Sequence, residues 1–201
     1  MSNPPIIERA THAPILLPET GFSDVQFYEF CNLNKDLRIE RQANGQIIVM
    51  SPTSSITGNR NFNLALELGF WNRQIQLGLV FDSSSGFTLP NGAVRSPDVA
   101  WIKKDRWEML PQSEKERFAA ICPDFIIELR SESDTLSELQ QKMEEYIDSG
   151  CLLAWLVDPQ TRTTTVFESG SAPVVVPFEE KLSGGKALPG FELVVAAVID
   201  C

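Results

Sequence analysis

Two acidic residues lie in segments of the sequence that would otherwise form buried strands. Asp98 begins the segment 98–102, in which strand alternation places it on one face together with two apolar residues. Glu128 interrupts the apolar run 125–129, which is typical of a strand buried on both faces. A buried carboxylate is costly unless it is paired with a cation or bound to a metal ion. One interpretation is therefore a structural ion pair of Glu128 with Arg130 or another arginine, and the other is a metal site.

A lysine on the following helix could belong to the same site. Residues 135–149 are predicted to be helical, because apolar residues recur there at helical spacing and Gly150 ends the pattern. Lys142 falls at the edge of the apolar stripe, beside Tyr146, and could direct its ammonium group toward the sheet. The alternative is a lysine whose aliphatic stem covers apolar surface while its charge stays in water.

Together, Asp98, Glu128 and Lys142 have the chemistry of a metal-assisted phosphoryl site. Two carboxylates on neighbouring strands, about 4 Å apart, would have a repulsion energy on the order of 4 kcal/mol at an effective dielectric constant near 20. A hard divalent cation relieves this repulsion, and Mg²⁺ commonly takes one or two carboxylates together with water and phosphate oxygens. Such a cation polarises a phosphoryl oxygen and lowers the pKa of a bound water. A nearby lysine can orient that water, help to deprotonate it and stabilise negative charge.

The composition excludes several other kinds of site. The chain has 201 residues and a single histidine, His12, which leaves none for a Ser-His-Asp or Cys-His site in the compact part of the chain. Zinc sites that need two or more histidines are excluded as well. Seventeen Lys and Arg against 27 Asp and Glu give a formal net charge of −10, which argues against binding to nucleic acid by charge alone.

The order of predicted elements indicates one α/β domain, with a mixed central sheet and helices packed against it. Residues 1–22 are predicted to form an extended N-terminal arm, and residues 23–201 a single domain. Asn44-Gly45 predicts a tight β-hairpin. The apolar segment after Gly184-Gly185 is expected to add an edge element. Residues 59–77 are predicted to form a helix whose inward side comprises Phe62, Ala65, Leu66, Phe70 and Ile75.

The sequence predicts a cytoplasmic protein. Its longest apolar runs, 151–157 and 193–199, are seven residues each, far fewer than the roughly 20 needed to span a bilayer. The N-terminus lacks a basic segment followed by an apolar stretch, so no secretory signal is expected. The four cysteines are widely spaced and form no C-x-x-C pair, which favours reduced thiols.

A series of short motifs resembles one known family. They are Val49-Met-Ser-Pro52, Thr57-Gly-Asn-Arg-Asn61, Ser96-Pro-Asp-Val-Ala100, Phe125-Ile-Ile-Glu-Leu-Arg-Ser131, Lys142 with Tyr146 and Gly150, and Trp155-Leu-Val-Asp-Pro159. In this order they resemble the bacterial Uma-type family of restriction-endonuclease-like proteins, which belongs to the PD-(D/E)XK nuclease superfamily. The resemblance covers about residues 23–170. It implies a restriction-endonuclease-like α/β core, with a mixed central β-sheet flanked by helices.

The resemblance also implies roles for individual residues. Asp98 matches the family's metal-binding aspartate and Glu128 its second acidic ligand, and both are expected to hold Mg²⁺ or Mn²⁺. The superfamily pattern has a lysine two residues after that second acid. Arg130 stands there instead, and Lys142 matches a lysine on the following helix. Glu40 matches an acidic position that often assists such sites, although alternation places it opposite the apolar face of its strand.

Two functions follow as hypotheses. The first is a metal-dependent DNA endonuclease that hydrolyses phosphodiester bonds, acting as a homodimer because a two-fold assembly naturally cuts both strands of a duplex. The second is a catalytically inactive nuclease fold that binds nucleic acid or another protein. The set of two acids and a lysine favours the first hypothesis, and the net negative charge favours the second.

Overall fold

The computed structural model describes residues 22–200. The arm expected over residues 1–22 lies outside the described residues except for Phe22, and the assignment of residues 23–201 to a single domain stays a prediction. The strands are β1 (Arg38–Arg41), β2 (Ile47–Met50), β3 (Gly78–Asp82), β4 (Phe87–Thr88), β5 (Val94–Arg95), β6 (Val99–Lys103), β7 (Phe125–Leu129), β8 (Leu153–Asp158), β9 (Thr163–Glu168), β10 (Val174–Pro177), β11 (Lys181–Ser183) and β12 (Glu192–Val194). The helices are α1 (Asp24–Leu33), α2 (Ser55–Ile75), α3 (Lys104–Glu108), α4 (Gln112–Lys115), α5 (Leu136–Asp148) and α6 (Ala196–Ile199).

Six strands form a mixed sheet at the centre of the fold, in the order β10-β9-β8-β7-β6-β3. β7 and β8 run parallel, whereas the other neighbours are antiparallel. Both of these strands are buried along their whole length, which agrees with their nearly continuous apolar sequences. One face of the sheet packs on α2 and on residues 178–199, and the other packs on α5. The predicted mixed sheet flanked by helices is confirmed.

Local signals in the sequence explain where several elements begin and end. Ser23 caps α1 and forms a capping box with Gln26. Gly45 has a φ of +86°, the left-handed conformation that the turn between β1 and β2 requires. Gly150, with a φ of +102°, follows α5 and ends it. The β1–β2 hairpin belongs to a second sheet, in the order β2-β1-β5-β4.

The buried side of α2 is not the side that the sequence predicts. The helix begins at Ser55, and its buried residues are Leu64, Leu68 and Trp71. Of the residues predicted to face the core, only Ala65 packs against it. The others are exposed, with fractions of 62% for Phe62, 40% for Leu66, 50% for Phe70 and 41% for Ile75. The predicted inward side was therefore wrong.

Trp71 explains this orientation of α2. Its ring lies 5.8 Å from that of Trp101 on the central sheet and 5.5 Å from that of Phe191, measured between centroids. Its indole N–H donates to the carbonyl oxygen of Pro189 at 3.2 Å. Because α2 carries apolar residues on more than one side, periodicity does not select the buried side. The buried side is instead set by the large aromatic contacts of Trp71.

The segment after Gly184-Gly185 does not extend the central sheet. Its strand β12 pairs with β11 in a separate two-stranded sheet. Side chains of this segment instead cover the face of the central sheet that packs on α2; they are Leu188, Phe191, Leu193, Val195 and Ile199. The predicted edge element was wrong because the apolar side chains of this segment are used to close the core. The edge of the central sheet beside β9 is formed by β10 instead.

No helix within residues 22–200 is both long and apolar enough to cross a membrane. Cys31, Cys122 and Cys151 carry free thiols. The cytoplasmic location stays a prediction.

Two leucines on different sides of α2 provide a matched test of its orientation. Leu68→Ala removes a fully buried side chain, and we expect it to lower the free energy of unfolding by about 2–5 kcal/mol. Leu66→Ala makes the same change at a position that is 40% exposed. For this control we expect a loss below about 1 kcal/mol. Urea denaturation followed by circular dichroism measures both, and a loss for Leu66→Ala as large as that for Leu68→Ala would contradict the observed orientation.

Candidate active site

A cleft of about 930 Å³ opens where the four-stranded sheet meets the central sheet and α5. Its walls come from β1 and β2, the first turns of α2, the end of β7 and the side of α5. All four candidate residues of the sequence line this cleft: Glu40, Asp98, Glu128 and Lys142. They come from four different parts of the chain, so their meeting is a consequence of the fold.

Asp98 lies immediately before β6 and is buried. Val99 pairs with Ile127 in the antiparallel ladder between β6 and β7. Continuing this ladder by one residue brings Asp98 opposite Glu128, and residues opposite each other in such a ladder share a face of the sheet. The backbone N–H of Leu129 donates to Oδ2 of Asp98 at 2.9 Å and holds the carboxylate in place. The two acids therefore lie close together, Asp98 just before the start of β6 and Glu128 near the end of β7.

Two further side chains contact the second oxygen of Asp98. Asn61 on α2 donates from Nδ2 to Oδ1 at 3.0 Å, and Nη2 of Arg38 lies 3.6 Å from the same oxygen. Burial raises the pKa of Asp98, although the Leu129 N–H and the charge of Arg38 act to lower it. The anionic form of Asp98 is thus only partly compensated by its neighbours in the protein.

Glu128 is buried in the middle of the site and is held on one side by α5. Its Oε1 lies 2.8 Å from Nζ of Lys142 and accepts a hydrogen bond from the Tyr146 hydroxyl at 3.2 Å. Burial raises the pKa of Glu128 to about 7; Lys142 opposes this effect, and the charges of Asp98 and Glu40 add to it. Burial also raises the pKa of Tyr146, so its hydroxyl remains a hydrogen-bond donor.

Lys142 points into the site rather than into solvent. Its Nζ lies 2.8 Å from Oε1 of Glu128 and 3.1 Å from Oε1 of Glu40, and only 14% of its side chain is exposed. Burial acts to lower the pKa of Lys142, but the charges of Glu128 and Glu40 outweigh it, so the pKa is raised. The side chain is accordingly a protonated ammonium in this arrangement.

Glu40 is buried although it lies opposite the apolar face of β1. Ile39, one residue earlier, packs in the small apolar cluster around Phe27, as alternation predicts. The other face of β1 closes the cleft, so Glu40 is covered too. It accepts hydrogen bonds from the backbone N–H of Ser96 at 2.9 Å and from Lys142 at 3.1 Å. Burial acts to raise the pKa of Glu40, and these contacts outweigh it and lower the pKa.

Arg130 does not take part in this cluster. Its Nη1 lies 2.8 Å from Oδ2 of Asp158 at the end of β8. The ion pair of Glu128 with Arg130, which the sequence left open, is not formed, because Glu128 pairs with Lys142 on α5.

The structure brings several further residues to the site, to which the sequence assigns no role. Arg95 is buried and joins two acids, with Nη1 3.1 Å from Oε2 of Glu40 and Nε 2.6 Å from Oε2 of Glu145 on α5. Asn61 and Arg38 surround Asp98 as described above. Asn61 and Tyr146 belong to the motifs that resemble the family, so the resemblance could have indicated that they lie at the site. Arg38 and Glu145 carry no such signal, because only the tertiary fold brings them to the cleft.

The donor set of the cleft fits a hard divalent cation. No group of three or more His, Cys, Asp and Glu residues suited to a metal ion is found among residues 22–200. Asp98 and Glu128 nevertheless offer two carboxylates in the cleft, and burial raises the pKa of both. Burial thus disfavours their anionic forms, which a bound cation would stabilise. Mg²⁺ and Mn²⁺ favour such oxygen ligands and commonly take one or two carboxylates with water, whereas zinc sites draw on Cys and His.

The mixed sheet, its covering helices and the acidic residues at the adjoining ends of β6 and β7 define a restriction-endonuclease-like fold. A sequence profile of the Uma2 family, described as "Putative restriction endonuclease", matches residues 24–196. The chain belongs to this family.

A solved structure supports the same fold. The crystal structure of "a putative nuclease belonging to DUF820" from Anabaena variabilis is similar to this chain, with a TM-score of 0.69 and 16% sequence identity. The similarity covers 81% of this chain and 89% of the other one. No curated protein matches the sequence significantly.

Breaking the buried ion pairs of Lys142 should destabilise the protein. Lys142→Met leaves Glu40 and Glu128 without their shared cation, and losing one partner of a buried pair costs roughly 3–5 kcal/mol. Lys181→Met is the matched control, because the Lys181–Glu192 pair is mostly exposed and should contribute less than about 1 kcal/mol. Urea denaturation at neutral pH measures both free energies of unfolding. Equal losses in the two variants would show that the buried contacts of Lys142 are not formed in solution.

Proposed function

We propose that the protein is a metal-dependent DNA endonuclease that hydrolyses phosphodiester bonds. Membership of the Uma2 family supports a nuclease-like function. The observation that carries the proposal is the contact between Lys142 Nζ and Glu128 Oε1 at 2.8 Å, in a cleft that Asp98 also lines, immediately before the neighbouring strand β6. Two acids and a lysine from separate elements thus meet where a substrate can enter.

Asp98 and Glu128 are the residues that would hold Mg²⁺ or Mn²⁺. When bound, such a cation supplies charge that polarises a phosphoryl oxygen and lowers the pKa of a bound water. The protein prepares the two carboxylates for this task, since the Leu129 N–H fixes Asp98 and Tyr146 fixes Glu128.

Lys142 contributes a preorganised positive charge next to the reacting phosphate. Because its pKa is raised, it acts as an ammonium group that orients water and stabilises negative charge, rather than as a neutral base. Glu40 is a positioning residue in this proposal. It binds the same ammonium at 3.1 Å, and is itself fixed by the Ser96 N–H and by Arg95.

Arg38 is suited to contact a phosphate oxygen of the substrate. Arg38 lines the cleft, and about a third of its side chain is exposed. Its Nη2 donates to the carbonyl oxygen of Ser96 at 2.7 Å, and its buried Nε has no hydrogen-bond partner. Arg95 and Lys142, by contrast, are each held by two carboxylates. An arginine with donors to spare is a common phosphate ligand.

The alternative function is a nuclease fold without catalysis that binds nucleic acid or another protein. The acidity of the protein favours it, because a formal net charge of −10 opposes the approach of a polyanion. The two functions differ in their need for metal. If neither Mg²⁺ nor Mn²⁺ binds, or if binding survives the combined change Asp98→Ala and Glu128→Ala, the catalytic assignment is wrong and the alternative stands.

Plasmid cleavage is the direct test of the proposed activity. The wild-type protein should nick or linearise supercoiled DNA with Mg²⁺ or Mn²⁺ and lose this activity when EDTA removes the metal. Asp98→Asn, Glu128→Gln and Lys142→Ala should each lower the cleavage rate by about 10²–10³-fold, as expected for the loss of a group that stabilises the transition state.

Lys181→Ala is the control for this assay, because Lys181 is exposed and pairs with Glu192 outside the cleft. It should cleave like the wild type. Circular dichroism at the assay temperature shows whether each variant is folded. Equal cleavage by wild type and Lys142→Ala would point to a contaminating nuclease or another site, and would refute the role given to Lys142.

We also propose that the protein acts as a homodimer, since cutting both strands of a duplex is naturally done by a two-fold assembly. The exposed apolar side chains Phe62, Leu66 and Phe70 offer a surface that such an assembly could cover. Sedimentation velocity at micromolar concentration should give the mass of two chains. A single species at the monomer mass of 22.4 kDa contradicts this proposal.

A further inference from the structure

One buried oxygen beside Asp98 has no hydrogen-bond partner. In the described part of the chain, the buried side-chain atoms without a hydrogen-bond partner are Arg38 Nε, Asn61 Oδ1, Trp155 Nε1 and Thr164 Oγ1. Asn61 Oδ1 is an oxygen acceptor, and it belongs to the side chain whose Nδ2 donates to Oδ1 of Asp98. Arg38 Nε is an N–H donor and could not bind a cation. Native proteins leave few buried polar groups unsatisfied, and such groups often mark the place of a missing ion or water.

The chemistry of Asn61 determines which of its amide atoms is unpaired. Its Nδ2 donates to Oδ1 of Asp98 at 3.0 Å. The carboxylate can only accept in its ionised form, so the amide nitrogen must face it and the amide oxygen must face elsewhere. Asn61 lines the cleft, in the second turn of α2. Asn61 thus lies at the cleft, and its Oδ1 is a buried acceptor for which the described residues supply no hydrogen-bond partner.

We propose that Oδ1 of Asn61 is a third protein oxygen ligand of the divalent cation held by Asp98 and Glu128. This inference rests on the metal site of the proposed function. Mg²⁺ and Mn²⁺ accept amide and carbonyl oxygens as well as carboxylates. A cation at this place would supply the partner that Asn61 Oδ1 lacks.

A neutral ligand is favourable in this position. Glu40, Asp98 and Glu128 already place three carboxylates near Lys142, and a fourth acid would add to their mutual repulsion. An amide oxygen increases the number of ligands without increasing this charge. At the same time its Nδ2–H group donates to Asp98, so Asn61 would contact the carboxylate with its nitrogen and the cation with its oxygen.

Titration of the metal-free protein with Mn²⁺, followed by calorimetry, tests the inference without relying on activity. Asn61→Ala should weaken Mn²⁺ binding by about tenfold or more. Asn61→Asp replaces the amide oxygen with a charged one, and should bind Mn²⁺ at least as tightly as the wild type. Asn63→Ala is the control, because Asn63 lies on the same helix but donates to the carbonyl oxygen of Val198. It should bind like the wild type.

The variant Asn61→Asp distinguishes two roles for Asn61, that of a metal ligand and that of a residue that only positions Asp98. It cannot donate to Asp98 and adds a like charge, so the metal-free variant should unfold at a lower temperature than the wild type. Mn²⁺ should then raise its unfolding temperature by more than it raises that of the wild type. If Asn61→Asp binds Mn²⁺ as weakly as Asn61→Ala, the ligand role is wrong.

The Mn²⁺ titration gives different results if only the role of Asn61 is wrong and if the whole metal site is wrong. Wild-type binding that depends on Asp98 and Glu128, together with unchanged binding in Asn61→Ala, overturns the role of Asn61 and leaves the metal site in place. A wild-type protein that binds no Mn²⁺ overturns both.

Discussion

The buried ammonium of Lys142 is the interaction on which the cleft depends. It lies between Glu128 on the central sheet and Glu40 on the four-stranded sheet, and it reaches both from α5. Two carboxylates buried so close to each other would not be tolerated without a cation between them. The lysine therefore joins the two sheets and the covering helix at one point. Because each of these contacts is protected from solvent, they are screened little and define a single arrangement of the three elements.

A second buried cation extends the same connection. Arg95 on β5 pairs with Glu40 and with Glu145, which lies one helical turn after Lys142 on α5. The acids and bases thus alternate along a chain from Glu145 through Arg95, Glu40 and Lys142 to Glu128. Such a network tolerates burial only when each member has its partners. Asp98 stands at the end of the cleft with less compensation, since burial raises its pKa and Arg38 approaches no closer than 3.6 Å.

The sequence predicts the parts of this site that follow from local periodicity. Strand alternation places Asp98 and Glu128 each on a face with apolar residues, and the helical wheel places Lys142 at the edge of the apolar stripe of α5. In the structure both acids are buried, and Nζ of Lys142 lies 2.8 Å from Oε1 of Glu128. Glu40 is less predictable, because alternation shows only that it opposes Ile39. Whether that second face of β1 is covered depends on how the two sheets pack. The same limit applies to α2, whose several apolar sides leave its orientation to Trp71 and its aromatic neighbours.

The departure at Arg130 shows how the fold can obtain the same contact from another element. A lysine two residues after Glu128 would share its face if the strand continued, because side chains alternate along a strand. Here β7 ends at Leu129, and Arg130 pairs with Asp158 of β8 instead. The ammonium comes from α5, so its position depends on how firmly that helix is packed. Met143 and Tyr146 are fully buried against the sheet, and the Arg95–Glu145 pair adds a largely buried contact on the same turn. The placement of the lysine therefore rests on tertiary packing rather than on the strand that carries its acidic partner.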